Sequence, residues 1–488
     1  MSALDDIRSD RMKKIEILKE KGIDAYPAES YRTHDNSTFL SLFESLTSSS
    51  EAVTLAGRIM SLRDQGGIVF LDLFDGTSKV QVLVRKEDTG EEQFQLFVDA
   101  VSVSDFIECT GTAFVTKRGM NSLLSTSWRM LTKSLQQVPD EWFGLKDGDE
   151  RFRKRYLDMI LNEEVRDLVK KRSIFWNTAR KFLLDRDFLE VETPVLETLT
   201  GGAEARPFIT HHNALDMEVY LRVSAGELWQ KKLMVAGIPK TFEIGRIFRN
   251  EGMSATHAQD YTQLEFYEAY SDLQKGKQVV IDLYRALAQE TFGTLQFNLD
   301  GVSVDLGSDW QEYDFNELME KKYGIDPRTV TEKEVYDLLK KEHISHDKNI
   351  GLGRGVDLLW KSIRKEISGP GFLEGVPVYL EPLAKKSSKD PRVVERFQVI
   401  LNGSEVGKAF SELNDPIDQR ERFVAQQGLR DAGDDEAQMA DFEYVEALEY
   451  GMPPVFGFGV SERLFSFLLG KSIREAQLFP LMKPRTED

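Results

Sequence analysis

Apolar positions recur along the 488-residue chain with two different spacings, and the change from one to the other marks its organisation. Between Val53 and Lys133 they alternate in short runs bounded by turn residues, which predicts strands over Val53 to Arg63, Gly67 to Phe74, Lys79 to Arg85, Asp105 to Lys117 and Ser122 to Lys133. Asp75-Gly76 marks a hairpin turn and Glu91 to Val98 a short helical insert. Five strands with one helix fit an OB barrel. From Glu163 to Asp185 the period lengthens: Leu168, Phe175, Ala179 and Phe182 fall at helical spacing, and the helix leads through a strand, FLEVET, to Pro194. A charged, mostly helical stretch lies between Trp310 and Glu374, with TEKEVYDLLKKEHI its clearest piece and no residue inviting a chemical role.

Two hairpins carry the candidate chemistry. Lys240 to Tyr270 reads as two strands joined by a polar loop, with Arg249 sharing a face with Glu243 and Ile247, and Tyr261, Glu265 and Tyr267 sharing one on the return strand. An arginine fork there can grip a phosphate, and the carboxylates can hold an ammonium group. As an isolated hairpin, a half-solvated polar face explains the same residues. The second hairpin turns at Asn402-Gly403, setting Leu401 opposite Ser404 and Ile400 opposite Glu405, so that Gln398 and Glu405 lie diagonally on one face.

Composition narrows the class. The single cysteine, Cys109, forms no internal disulfide, and the absence of CxxC and HExxH spacings excludes a thiol zinc site. The charged N-terminus lacks a signal core and no run reaches the ~20 apolar residues of a membrane span, so a cytoplasmic protein without membrane contact is expected. A net charge of −19 argues against a nucleic-acid partner only until local patches are considered. Arg8, Arg11, Lys13, Lys14, Lys19 and Lys21 fall on one predicted helix ending at Gly22, either a basic patch or an ordinary solvated face.

The sequence KTFEIGRIFRNEGMSATHAQDYTQLEFYEAY resembles motif 2 of the class II aminoacyl-tRNA synthetases, with F-R-N-E-G in its lysyl form. Collinear blocks extend the resemblance along nearly the whole chain: RFRKRYLDMI and FLEVETP around motif 1, GGAEARPFITHHNALD, FSELNDPIDQRERF, DDEAQMADFEYVEALEYGMPP, GFGVSERL and LFPLMKP. Together they resemble the lysyl-tRNA synthetase family. The resemblance implies an α+β protein: an N-terminal OB-fold β-barrel, then a catalytic domain whose mixed, mainly antiparallel sheet is flanked by helices. The expected boundaries are 1–52 for an N-terminal helix and linker, 53–138 for the anticodon-binding barrel, 139–160 for a linker and 161–488 for the catalytic domain, with a small helical insertion around 310–370.

The same resemblance implies activation of L-lysine on ATP to lysyl-adenylate, transfer to tRNA(Lys), Mg²⁺ as cofactor, and a homodimer through motif 1. By position, Arg249 and Arg463 are the catalytic arginines. Arg249, Glu251, His257, Tyr261 and Arg463 hold ATP, and Gly202, Glu227, Arg249, Glu265, Tyr267, Lys408 and Glu412 hold lysine. Glu405 and Gln398 stand at metal positions, and Arg63, Phe70 and Gln81 at anticodon positions. Three acids around one ammonium, with no basic partner of their own, would select lysine by leaving buried groups unpaired with any other substrate. The chain departs from the family at several places: Gln398 replaces a carboxylate and Lys408 an asparagine, Gly67 a lysine, SAGELW has one residue more and GFGVSER one fewer. A lysine ligase with a protein acceptor, lacking an anticodon reader, and a non-catalytic tRNA-binding or regulatory relative are the alternatives.

Overall fold

In the computed structural model, which describes residues 3–139, 147–299, 301–346, 350–434 and 437–485, the chain forms two units, Met1–Gly148 and Asp149–Asp488. Part of the linker expected over 139–160, and Asp435 and Glu436 of the DDEAQ block, lie outside the described residues.

In the first unit five strands close a barrel in the order β1-β2-β3-β5-β4: β1 Ala52–Asp64, β2 Ile68–Phe74, β3 Lys79–Arg85, β4 Phe106–Val115 and β5 Asn121–Thr132. Strict alternation on β2 turns Val69, Leu71 and Leu73 into the core, leaving Phe70 and Asp72 on the outer face. Arg63 lies directly opposite Phe70 and Gln81 opposite Asp72, so all three anticodon candidates share that face. Phe70 is therefore not a core residue of the barrel. The N-terminal segment packs into the same core through Leu18, Phe39, Phe43 and Leu46, and the stretch read as a linker holds two short helices, Asn36–Ser41 and Phe43–Ser49. Of the basic residues on the predicted N-terminal helix, for which a patch and a solvated face were both open, Arg11 and Lys21 are engaged within this unit. Arg11 is buried, donating to the carbonyls of Val103 (2.8 Å) and Ser134 (3.0 Å), and Lys21 pairs with Glu92 (2.9 Å).

The second unit is built on an eight-stranded sheet whose strands are, in chain order, β6 Leu189–Glu190, β7 Lys240–Phe248, β8 Asp260–Ala269, β9 Gln311–Asp314, β10 Gly371–Glu374, β11 Arg396–Leu401, β12 Ser404–Ser411 and β13 Val455–Ser461. Their spatial order is β9-β10-β11-β12-β13-β8-β7-β6, with the two outer pairings parallel and the rest antiparallel. Phe266, Phe397, Phe456 and Phe458 point to one face, where the helices Glu163–Leu184 and Leu273–Phe292 bring Phe175, Ala179, Leu283 and Tyr284 against them. Each buried ring contributes about 1.5–3 kcal/mol by leaving water. Because the side-chain period is two, their sequence neighbours Glu265, Tyr267, Gly457 and Gly459 must face the other way. The site lies on that face.

Between β9 and β10, helices Phe315–Tyr323, Glu332–Lys341 and Leu352–Ile363 gather around Phe315, Val335, Leu339, Val356, Leu359 and Trp360, the helical stretch anticipated from the sequence.

Candidate active site

Cross-strand pairing sets the floor of the site as a row. Gln398 lies opposite Lys408, Lys408 opposite Gly459, Gly459 opposite Glu265 and Glu265 opposite Glu243, so β11, β12, β13, β8 and β7 each place one residue in line. Gly459 separates Lys408 from Glu265 by two strand spacings, roughly 10 Å. One step along, Gly457 keeps the floor open: a Cβ there would sit 2.0 Å from Glu412 Oε1 and 2.6 Å from Tyr267 Cε1. A cavity of about 1490 Å³ rises above this floor and is lined by Arg249, Tyr261, Glu265, Tyr267, Glu412 and Arg463 among others. That volume exceeds what a single drug-sized ligand requires, and admits a nucleotide with an amino acid.

At one end the acids converge. Glu227 opens the helix Glu227–Val235, Glu265 and Tyr267 stand on β8, and Glu412 follows β12; all are buried. Glu265 accepts from the Ala225 amide (2.7 Å), Gln263 (2.5 Å) and the Tyr267 hydroxyl (2.9 Å). The expectation that these acids have no basic partner is corrected by Lys231. This wholly buried lysine, one turn after Glu227, reaches Glu227 at 2.7 Å and Glu412 at 2.5 Å. Burial opposes its charge, but the two carboxylates outweigh it and raise its pKa. One ammonium does not satisfy three acids. Burial, then the charge of Glu227, pushes Glu265 up to about 7. Burial pushes Glu412 up to about 8 against the pull of Lys231, with Glu227 and Glu265 adding to the rise. Gly202, at φ +85°, abuts this group; a Cβ would lie 2.8 Å from that of Glu227.

At the other end are the arginines. Arg249 falls one residue beyond β7, still held opposite the return strand by its amide to Gln259 O (2.7 Å), with its side chain donating to Val223 O (3.3 Å). Its guanidinium lies 5.9 Å from the centre of the Tyr261 ring. Arg463 is the second residue of the helix Glu462–Leu468 and donates to the carbonyls of Thr256 (3.2 Å) and Glu405 (3.5 Å). Glu251 and His257 lie in the loop between β7 and β8. Partial burial, then Arg463, drives the His257 imidazole down to about 4, so it enters neutral solution as a neutral donor and acceptor beside the cationic arginines.

The facing hairpin departs from a regular ladder. Ile400 pairs with Glu405 as the turn predicts, but a bulge then sets Val399 opposite Gly407 and Gln398 opposite Lys408. Without the extra residue Lys408 would turn into the helix-covered face; with it, Gln398, Glu405 and Lys408 share the site face while Val406 and Ala409 stay in the core. Glu405 is held by two groups of the helical stretch, Trp360 Nε1 (2.7 Å) and Arg364 (2.7 Å). Burial raises its pKa, yet Arg364 and the Trp360 hydrogen bond prevail and leave it lowered. Two residues of the stretch between Trp310 and Glu374, from which no chemical role was read, thus reach the site by holding Glu405. Gln398 Oε1 accepts from Arg396, and Arg396 (3.0 Å) and Lys408 (3.1 Å) both bind Glu381.

As a magnesium site this set fits poorly. Both Glu405 oxygens already accept, the oxygen of Gln398 faces a guanidinium, and the cations Arg396 and Lys408 stand beside them; among the described residues no three His, Cys, Asp or Glu side chains are grouped to hold a metal. Of the residues not anticipated, Lys231 is legible as the i+4 neighbour of Glu227, and Arg396 as the same-face neighbour of Gln398. Glu381, Trp360 and Arg364 come from distant segments and leave no local signal.

A mixed, mainly antiparallel sheet carrying paired arginines over a strand hairpin, together with an OB barrel, defines a class. Residues 147–483 match the class II tRNA synthetases (D, K and N) and residues 53–131 the OB-fold nucleic acid binding domain, and the chain belongs to that synthetase family. Within it the chain is similar to proteins named lysine–tRNA ligase. It is 41% identical over 487 residues to that of Roseiflexus castenholzii, covering 99% of each chain. It is 40% identical over 489 residues to that of Thermoanaerobacter pseudethanolicus (99% of this chain, 97% of the relative) and 39% identical over 488 residues to that of Bacillus subtilis (98% and 97%).

Proposed function

We propose that the chain activates L-lysine on ATP and transfers the lysyl group to tRNA(Lys). The observation that carries this reading is the buried cluster of Glu227, Glu265 and Glu412 with Tyr267 and a single lysine, Lys231, beside Arg249. Fully ionised, it bears two negative charges in excess, and free lysine brings two ammonium groups. Glu265, Tyr267 and Glu412 receive the ε-ammonium, and Glu227 with Gly202 the α-amino group. The substrate carboxylate is thereby left at the arginine end, with Arg249 bridging it to the α-phosphate.

The reaction is attack of that carboxylate on the α-phosphorus, with pyrophosphate leaving. No nucleophilic side chain is needed; the protein aligns the reactants and stabilises charge. Glu251 and Tyr261 bind the adenine, and Arg463 with His257 the phosphate tail, where charge grows on the leaving group. Magnesium enters as the ion that ATP carries on its phosphates. A terminal ribose hydroxyl of tRNA then takes the lysyl group from the adenylate. The shared outer face of Arg63, Phe70 and Gln81 supports anticodon recognition, since a half-buried ring beside polar groups offers a base ~1–3 kcal/mol of stacking. That barrel also favours tRNA over a protein acceptor.

A homodimer is supported by the exposed apolar residues of the motif 1 region, Val169, Ile174, Leu184, Leu189, Val195 and Leu196. No helix among the described residues is long and apolar enough to cross a membrane. We place the protein in the cytoplasm with the rest of translation. Amino-acid-dependent pyrophosphate exchange tests the assignment: lysine alone among the twenty should support it, and a folded preparation inert with lysine would overturn it.

A further inference from the structure

The face formed by Gln398 and Lys408 holds donors where a metal site needs acceptors. A guanidinium has no lone pair to offer, so the Arg396 contact fixes the Gln398 carbonyl oxygen toward Arg396 and turns the amide NH₂ the other way. Directly across the strand pair stands the Lys408 ammonium, held from behind by Glu381, which Arg396 also grips. Gln398, Lys408 and Glu405 all line the cavity. Glu405, on the same strand face, is spent on Trp360 and Arg364, and Glu204, which also lines the cavity, pairs with Arg354 (3.6 Å).

We propose that Lys408 and the Gln398 amide grip the reacting anion directly, at the junction of amino-acid carboxylate and α-phosphate, in place of a divalent ion held by the protein. The bulge at Val399/Ile400 is what makes this possible, because it brings Lys408 to the site face, and Gly459 beside it leaves room for the ligand. Glu381 sets the ammonium's position and Arg396 links both members of the pair. Glu405, by this account, is a brace between β12 and the Leu352–Ile363 helix with its following turn. The inference rests on the ATP-site reading above and concerns how that site supplies its charge.

The test counts ions on the full-length protein by Mn²⁺ electron paramagnetic resonance, with a non-hydrolysable ATP analogue and lysine present. Wild type should bind only the ions the nucleotide carries, and E405Q should leave their number and affinity unchanged. Q398E/K408N should gain one further ion per site. A lower count, or an affinity weakened tenfold or more, in E405Q would overturn the proposal, as would a folded double variant with no gain. If that variant does not fold, wild type against E405Q still decides. K408A should weaken nucleotide-analogue binding about tenfold at saturating Mg²⁺, and unchanged binding would also count against it. Lysine-dependent pyrophosphate exchange on the same wild-type preparation separates the two levels: its absence overturns the functional reading, whereas an ion lost from E405Q with exchange intact overturns this inference alone.

Discussion

Glu412 must be charged to receive an ammonium, yet burial among other acids favours its proton. With Glu412 raised to about 8 and Glu265 to about 7, the empty pocket is partly protonated at neutral pH. Lysine binding at these acids should therefore release protons. The sign follows directly: above these values the acids are already ionised, below them each proton must be expelled, so affinity falls as pH falls. The lysine Kd should rise about tenfold or more from pH 8.5 to 6.5, and calorimetry in buffers of different ionisation enthalpy should record proton release. A flat profile would remove these two acids from the ammonium site. Lys231 belongs to the same balance. Substituting it with methionine, Lys231→Met, leaves Glu227 and Glu412 without their buried partner, and denaturant unfolding should show a loss of about 3–5 kcal/mol. Glu265 and Tyr267 were legible from strand alternation, whereas the one signal for Lys231 was its i,i+4 spacing from Glu227, which on a helix ordinarily marks a solvated face.

Among the elements, the second hairpin shows where pattern stops and tertiary contact begins. Its turn and the pair Ile400–Glu405 follow from Asn402-Gly403, but nothing local announces the bulge that comes directly after that pair. Its cause lies elsewhere: Gly407 sits where a Cβ would be 2.5 Å from the Tyr284 hydroxyl, and that hydroxyl donates to Val406 O. Gly407→Val should accordingly cost about 1–3 kcal/mol in unfolding free energy by overpacking this contact. An unchanged melting curve would show that the hairpin tolerates a regular side chain there. The helical stretch before β10 reaches the site, which its sequence does not announce. Its Trp360 and Arg364 act on Glu405, some forty residues away in sequence, and such a pairing has no period to betray it.

For the whole molecule, the barrel and the two site hairpins were readable, since alternation and turn residues fix strands independently of what they pack against, while the large sheet that joins the hairpins was expected from the family resemblance. What pairs with the motif 1 surface was not, because exposed apolar residues in one chain look the same whether or not a partner covers them. Leu196→Asp, on that surface, should shift sedimentation from dimer to monomer at micromolar protein; a wild type that sediments as a monomer would refute the dimer outright. The account as a whole rests on buried acids reading a side-chain ammonium. Pyrophosphate exchange with lysine against norleucine, which keeps the four-carbon chain and lacks the amine, measures that reading most directly. The kcat/KM for norleucine should be lower by about 10⁴ or more, as for a site whose buried polar groups are left unpaired. A ratio within tenfold would contradict it.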